Sequence, residues 1–363
     1  MSPAAQVGAH SLGRTARVLI VDDSIATRRL ISMAMSSEGG IEVVGYAPDG
    51  AIALEQVEKL NPDVVTLDIE MPQMDGLETL RRLKKQFPGV RVIMLSSLTQ
   101  RGGRHTLEAL SLGADDYVAK NNDGVSFEAS IEALRSELIP KIRQFFDAQP
   151  RVSPATVRRL APPSGEAFRP AHRPIRIVAI GISTGGPNAL ADVLPRLPAD
   201  FPRPIVITQH MPPTFTRLLA ERLDAASKIR VEEATNGSVV EPGKALIAAG
   251  SYHLRLERRQ SDIVAVLDDG PPENSCKPAV DVMYRSLVDL YGSGVLAVIM
   301  TGMGRDGLAG AEMLKKQGAS VVAQDRDSSV VWGMPGHIVE HGLADQVVAL
   351  NRMSEVILRY VKS

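Results

Sequence analysis

A chain of 363 residues is long enough for two domains of ordinary size, and 44% hydrophobic with 23% charged residues excludes a disordered polypeptide. The formal net charge of -1 gives no global pull toward nucleic acid or anionic lipid. A single cysteine, Cys276, excludes an intrachain disulfide and argues against a cysteine-based zinc site.

The opening stretch MSPAAQVGAHSLGR lacks the apolar core of about 7–15 residues that marks a signal peptide, and residues 1–15 are expected to be a disordered tail. No apolar run approaches the roughly 18 residues of a membrane span. A cytoplasmic protein, not inserted in a membrane, is the expectation. From Arg17 to about Ala148, RVLIVDD, IEVVGYA, DVVTLD, VRVIMLSS and DYVAK read as strands. Between them, IATRRLISMAM, AIALEQVEKL, LETLRRLKKQ and RHTLEALSLG have helical spacing. Five alternating units predict a parallel (βα)5 sheet, flavodoxin-like, with helices on both faces and a first domain over 16–135.

Residues 136–174 are expected to be a helix end and a linker. Within them, 148–174 hold six prolines and five arginines and few large apolar residues. No interleaved set of aromatics accompanies those arginines to stack bases, so a nucleic-acid tail is not the reading. A second alternating region, 175–363, follows. RIVAIGIS, PIVITQH, KALIAAG, HLRLERR, IVAVLDD, VLAVIMTG and SVVAQD read as strands, and PAVDVMYRSLVDLYG and GLAGAEMLKKQG as helices. HLRLERR and SDIVAVL predict an antiparallel hairpin, so a mixed sheet is expected. The fold class is α/β in two domains, the second a doubly wound, mostly parallel sheet with a β-hairpin.

In the first half, Asp22 and Asp23 end the first strand and Asp68 ends the third. Strand ends of an open parallel sheet converge at the ligand edge. Three carboxylates there repel unless a cation neutralises them, and oxygen-only ligands suit magnesium. Ser96 ends the fourth strand and Lys120 the fifth. Together they form a receptacle for a phosphoryl group on Asp68. Through VDDS (21–24), LDIEMPQMDG (67–76), LSSLT (95–99) and GADDYVAK (113–120), residues 16–124 resemble a response-regulator receiver domain. The resemblance implies Asp68 as phosphoacceptor, Asp22, Asp23 and Asp68 around Mg2+, Ser96 as switch hydroxyl, Lys120 as phosphate partner and Tyr117 as switch aromatic. Asn121 departs from the proline usual after that lysine, so a cis peptide is not expected there.

In the second half, GISTGG (181–186) follows the apolar run IRIVAI. It lacks the Lys-Ser/Thr of a Walker loop, and its glycine spacing is not that of a dinucleotide site. It does fit G-x-S-x-G, which lifts a serine on a sharp strand-to-helix turn. Ser183 then needs a base. Of the seven histidines, His210, His253, His337 and His341 lie in this half. His210 ends the run IVITQ at the same sheet edge. His253 opens a strand, and His337 and His341 have the i, i+4 spacing of a metal pair without a third ligand type. TGMGRDG brings Asp306 to the same edge after VLAVIM. Ser, His and Asp are the parts of an acyl-transfer site, in an order unlike that of α/β-hydrolases.

GISTGGPNAL, ITQHMPPTFT, GSYHLRL, KPAVDVMY, TGMGRDG and AQDRDSSVVWGMP resemble, in order, the chemotaxis response-regulator protein-glutamate methylesterase family, often called CheB. With the receiver, the resemblance covers nearly the whole chain. It implies Ser183 as nucleophile, His210 as general base and acid, Asp306 as orienter of the imidazole, and backbone N–H groups of Thr184 and Met303 for the oxyanion. Cys276-Lys277 stand where relatives often carry His and Arg or another basic residue. The implied reaction is hydrolysis of glutamate methyl esters on chemoreceptors, with deamidation of receptor glutamines as a related activity and no cofactor for the ester step. A chemotaxis histidine kinase would be the phosphodonor, methylated chemoreceptors the substrate, and the unphosphorylated receiver would cover the Ser183 edge. A monomer is expected. The alternative is a phosphorylation-dependent binding module on an idle esterase fold. A DNA-binding regulator would need a helix-turn-helix and a basic footprint, and neither is present.

Overall fold

The computed structural model describes residues 15–36, 38–120, 126–146 and 174–363. The tail over 1–14, Asn121 and most of the proline- and arginine-rich linker lie outside the described residues. The chain divides into two compact units, each with its own sheet.

The first sheet alternates strictly with helices: β1 (Ala16–Val21), α1 (Ile25–Ser36), β2 (Ile41–Ala47), α2 (Gly50–Leu60), β3 (Val64–Asp68), α3 (Gly76–Gln86), β4 (Arg91–Ser97), α4 (Gln100–Ser111), β5 (Asp116–Lys120) and α5 (Phe127–Arg143). All pairings are parallel and the order is β2-β1-β3-β4-β5, the flavodoxin-like arrangement expected. Helix starts are written in the sequence. Asp49 accepts the Ile52 N–H at 2.9 Å and Asp75 the Glu78 N–H at 2.8 Å, each satisfying an orphan donor of the first turn. Val18 and Ile20 of β1, Ile93 and Leu95 of β4, and Ile31 and Met35 of α1 close one core. Leu138, Ile139 and Ile142 of α5 belong to that core, and the helix runs on to Arg143.

The second unit contains β6 (Ile177–Ile182), α6 (Gly186–Val193), β7 (Ile205–Gln209), α7 (Phe215–Ala226), β8 (Arg230–Glu233), β9 (Lys244–Ile247), β10 (His253–Arg259), β11 (Asp262–Asp268) and α8 (Val280–Tyr291). It continues with β12 (Val295–Ile299), α9 (Leu308–Lys316), β13 (Ser320–Gln324), α10 (Met334–Glu340), β14 (Gln346–Val348) and α11 (Leu350–Lys362). Seven strands pair in the order β14-β13-β12-β6-β7-β9-β8. Every pairing in that sheet is parallel, and the hairpin β10–β11 forms a separate two-stranded sheet. The hairpin is therefore present, but it does not make the large sheet mixed. Its inward residues Leu254, Leu256 and Ala265 join the core that α8 covers.

The chain leaves β6 on one side toward β7 and returns on the other side at β12. Such a reversal opens a crevice beyond the carboxyl ends of the two central strands. Tyr284 of α8, fully buried, brings its hydroxyl to 3.2 Å from the Ala179 carbonyl of β6 and 3.1 Å from the Val298 carbonyl of β12. No described helix is long and apolar enough to cross a membrane.

Candidate active site

The serine turn begins where β6 stops. The register pairs Ile182 with Gln209 of β7 and Gly181 with Ile299 of β12. Ser183 thus emerges level with His210 on one side and Thr301 on the other. Its N–H donates to the Thr301 carbonyl at 3.0 Å, and its own carbonyl accepts from Gly186 N at 2.7 Å and Gln209 Nε2 at 3.0 Å. Gly185 has φ +78°, the left-handed conformation that lets the chain reverse into α6. Across the crevice, a Cβ on Gly302 would lie 2.7 Å from the Ser183 Cβ, so only glycine admits the serine there.

His210 follows β7, and its N–H extends the ladder to the Ile182 carbonyl at 3.3 Å. Its Nε2 lies 2.7 Å from Oδ2 of Asp306. Asp306 is 3% exposed, yet its charge is well served. Backbone N–H groups of Val280 (2.6 Å), Asp281 (3.1 Å) and Gly307 (3.0 Å) and the amide of Asn274 (3.0 Å) donate to it. Val280 and Asp281 open α8, so the carboxylate sits at a helix N-terminus, where the dipole favours an anion. Burial alone would raise its pKa. The His210 bond, the His210 charge and the backbone donors outweigh burial and hold it below the usual range. Conversely, burial disfavours imidazolium at His210, but the Asp306 bond, with the Cys276 contact, raises its pKa above the ordinary value.

Among the described residues, no hydrogen bond joins the Ser183 hydroxyl to His210. The imidazole Nδ1 instead has the Cys276 Sγ at 3.5 Å. Apo geometry of this kind does not exclude a serine–histidine pair, because such bonds often tighten only around substrate. Thr184 is buried in the serine turn, and Met303, 38% exposed, lies on the loop beside Gly302.

The remaining histidines have other duties. His253 is buried, accepts the Ala279 N–H at Nδ1 (3.1 Å) and donates from Nε2 to the Pro271 carbonyl (2.9 Å). His337 lies 3.3 Å from Glu340, and its carbonyl receives His341 Nδ1 at 2.8 Å. Two further residues of the site were not among the sequence candidates. Asn274 bridges Asp306 to Asp281, donating at 3.0 and 2.9 Å. Asp281 is buried, and burial, with the Asp306 charge, pushes its pKa up to about 6 despite the Gly310 N–H bond. Their signal was only a polar turn, ENSC, ahead of an amphipathic helix.

The carboxylates of the first unit also meet by register. Val21 pairs with Leu67 and Ser97 with Lys120, which brings Asp22, Asp68 and Lys120 to one edge. Lys120 Nζ lies 2.8 Å from both Asp22 Oδ2 and Asp68 Oδ2. Carboxylate oxygens of Asp22, Asp23 and Asp68 lie within 4.8 Å of one another. Burial, reinforced by Asp22, raises the pKa of Asp68 against the pull of Lys120. Burial opposes the Lys120 charge, but the two carboxylates raise its pKa. An oxygen-only donor set with surplus negative charge fits a hard divalent cation such as magnesium. Ser96 is buried near the end of β4, and Tyr117 is buried near the start of β5.

The family description "CheB methylesterase" matches residues 178–357, and "Response regulator receiver domain" matches residues 18–132. A protein-glutamate methylesterase/protein-glutamine glutaminase of Trichodesmium erythraeum (strain IMS101) is 48% identical over 350 residues, 95% of this chain and 99% of that relative. This chain belongs to the CheB methylesterase family. A Thermotoga maritima member bearing the same enzyme name is 41% identical over 355 residues, 96% of this chain and 99% of its own. The crystal structure of the Thermotoga maritima CheB methylesterase catalytic domain aligns with a TM-score of 0.50 at 43% identity, covering 52% of this chain and 99% of that one. Family membership thus joins a receiver and a methylesterase region in one α/β chain, as the motifs implied.

Proposed function

We propose that this protein is a phosphorylation-regulated protein-glutamate methylesterase of chemotaxis adaptation that also deamidates glutamine, with Ser183, His210 and Asp306 as its catalytic triad. The observation that carries the reading is the 2.7 Å bond from a buried, backbone-anchored Asp306 to His210, which directly follows the strand beside that of Ser183. Asp306 fixes a proton on Nε2, which leaves the Nδ1 lone pair to act as base. Ser183 Oγ attacks the ester carbonyl and its proton passes to Nδ1. The tetrahedral oxyanion is held by backbone N–H groups at Thr184 and Met303. Nδ1 returns the proton to the leaving methoxide, so methanol departs and an acyl-enzyme remains. Water, deprotonated by the same nitrogen, then releases the glutamate carboxylate and Ser183. With a glutamine side chain, ammonia leaves in place of methanol.

In the receiver, Asp68 is the phosphoacceptor, and Asp22, Asp23 and Asp68 would hold Mg2+. When bound, the ion neutralises oxygens of the transferring phosphoryl group. Lys120, already 2.8 Å from Asp68, is set to pair with the new phosphate charge, and Ser96 and Tyr117 to respond to it. A chemotaxis histidine kinase is the phosphodonor, and methylated chemoreceptors are the substrate. The test is methanol release from methylated receptor membranes, with and without a phosphodonor. No release under either condition would return the protein to the alternative of a binding module on an idle esterase fold.

A further inference from the structure

Composition argues against zinc because one cysteine cannot build a structural zinc cage. The fold, however, brings that one thiol to an imidazole. We propose that Cys276 and His210 form a binding site for a single thiophilic divalent cation of the zinc class, and that its occupancy silences hydrolysis.

Three observations carry the site. The first is spacing. Cys276 Sγ and His210 Nδ1 are 3.5 Å apart. Ligand bonds of about 2.3 Å to sulfur and about 2.0 Å to nitrogen, at a tetrahedral angle, span roughly that distance. The second is the outer partner. A metal-bound imidazole normally donates its other N–H to a carboxylate, which fixes the ring and raises its basicity. Here Nε2 meets Asp306 at 2.7 Å, and Asp306 is itself anchored by Val280, Asp281 and Gly307. The third is the thiol's own support. Glu273 and Cys276 exchange backbone hydrogen bonds at 3.1 and 2.8 Å, closing a tight turn that fixes the thiol. The cysteine is half-buried, so an ion reaches it from solvent without unfolding the loop.

The chemistry is ligation without redox change. The cation takes the Nδ1 lone pair and the thiolate, and the thiol proton leaves to solvent. A ligated Nδ1 cannot accept the Ser183 proton. That consequence rests on His210 being the base, whereas the binding itself does not. The soft sulfur–nitrogen pair is also distinct in kind from the oxygen-only cluster of Asp22, Asp23 and Asp68.

The test uses the full chain, stripped with a chelator and supplied with excess magnesium to occupy the carboxylate cluster. Cobalt(II) is the spectroscopic probe and zinc(II) the inhibitor. Because the chain has one cysteine, any thiolate-to-cobalt charge-transfer band reports Cys276 alone. The expected result is a band that saturates at one equivalent, is displaced by zinc, and grows as methanol release falls. Cys276→Ala and Cys276→Ser should lack the band. Each should also need at least about tenfold more zinc to halve its own metal-free rate, the scale of a lost metal partner. Asp306→Asn should weaken cobalt binding about 10–100-fold. No band in the unaltered chain, or unchanged zinc sensitivity in Cys276→Ala, overturns the proposal. A full band with undiminished methanol release overturns the silencing and, separately, the assignment of His210 as base.

Discussion

Asp306 binds His210 through Nε2, at 2.7 Å, and Nδ1 is the ring nitrogen left clear of that carboxylate. The same contact raises the His210 pKa above its ordinary value, although burial works against it. A base acts only when neutral, so hydrolysis should climb as pH rises through that raised pKa, on the alkaline side of the usual imidazole range of about 6.5. Asp306→Asn removes the first of the two contacts that raise it, leaving that of Cys276. The rising limb should move to lower pH, and the plateau should fall by about 10^4-fold. Initial methanol release across the pH range measures both. A limb that stays in place would assign the orienting role to another group.

Ser183→Ala should leave the thermal midpoint near that of the parent, because the half-exposed hydroxyl makes no described hydrogen bond that the fold needs. Hydrolysis should drop by at least about 1000-fold, down to what the oxyanion site and binding supply alone. Circular dichroism and methanol release on one preparation separate the two effects.

Gly302 admits no side chain. A Cβ there would lie 2.5 Å from Met334 Sδ and 2.7 Å from the Ser183 Cβ. Gly302→Ala should cost about 1–3 kcal/mol of stability through overpacking, and it should slow hydrolysis by displacing the serine turn. Denaturant midpoints and initial rates check this. An alanine variant of full activity would mean that the turn is softer than its contacts imply.

Asp68→Ala in the full chain should abolish any rate response to a small-molecule phosphodonor with magnesium. Lys120 retains Asp22 at 2.8 Å, so the receiver should stay folded. A tenfold response in the parent corresponds to about 1.4 kcal/mol between two regulatory states. A response that survives Asp68→Ala would place the phosphoryl group elsewhere.

Much of this was legible in the sequence because chemistry followed apolar strands. Asp68 and Lys120 end β3 and β5, and Asp22, Ser183 and His210 come directly after β1, β6 and β7. An apolar run locates a strand, and the next polar residue is then at the ligand edge. The same logic fails where no run precedes the residue. Asn274 and Cys276 occupy an irregular turn, with Asn274 at φ +52°, and nothing in the local pattern ties them to residues 306 and 210. Strands β8 and β14 have four and three residues, too few for a periodic signal. The hairpin was readable, but whether it joined the large sheet was not. That depends on long-range packing of Leu254 and Leu256 beneath α8.

The anchoring of Asp306 by main-chain donors has an evolutionary corollary. Backbone N–H groups persist whatever side chain they carry, so a substitution at position 280 or 281, whatever it costs in packing, does not withdraw those two donors. The exception is imino substitution. Val280 is the first residue of α8, where helix rules welcome proline because the N–H there has no partner within the helix. In this molecule that N–H points at Asp306 from 2.6 Å. Val280→Pro is therefore a change that secondary structure would tolerate and the carboxylate would not. Packing already confines this fully buried position to side chains near the size of valine, and the lost donor closes it to the residue that general helix statistics recommend.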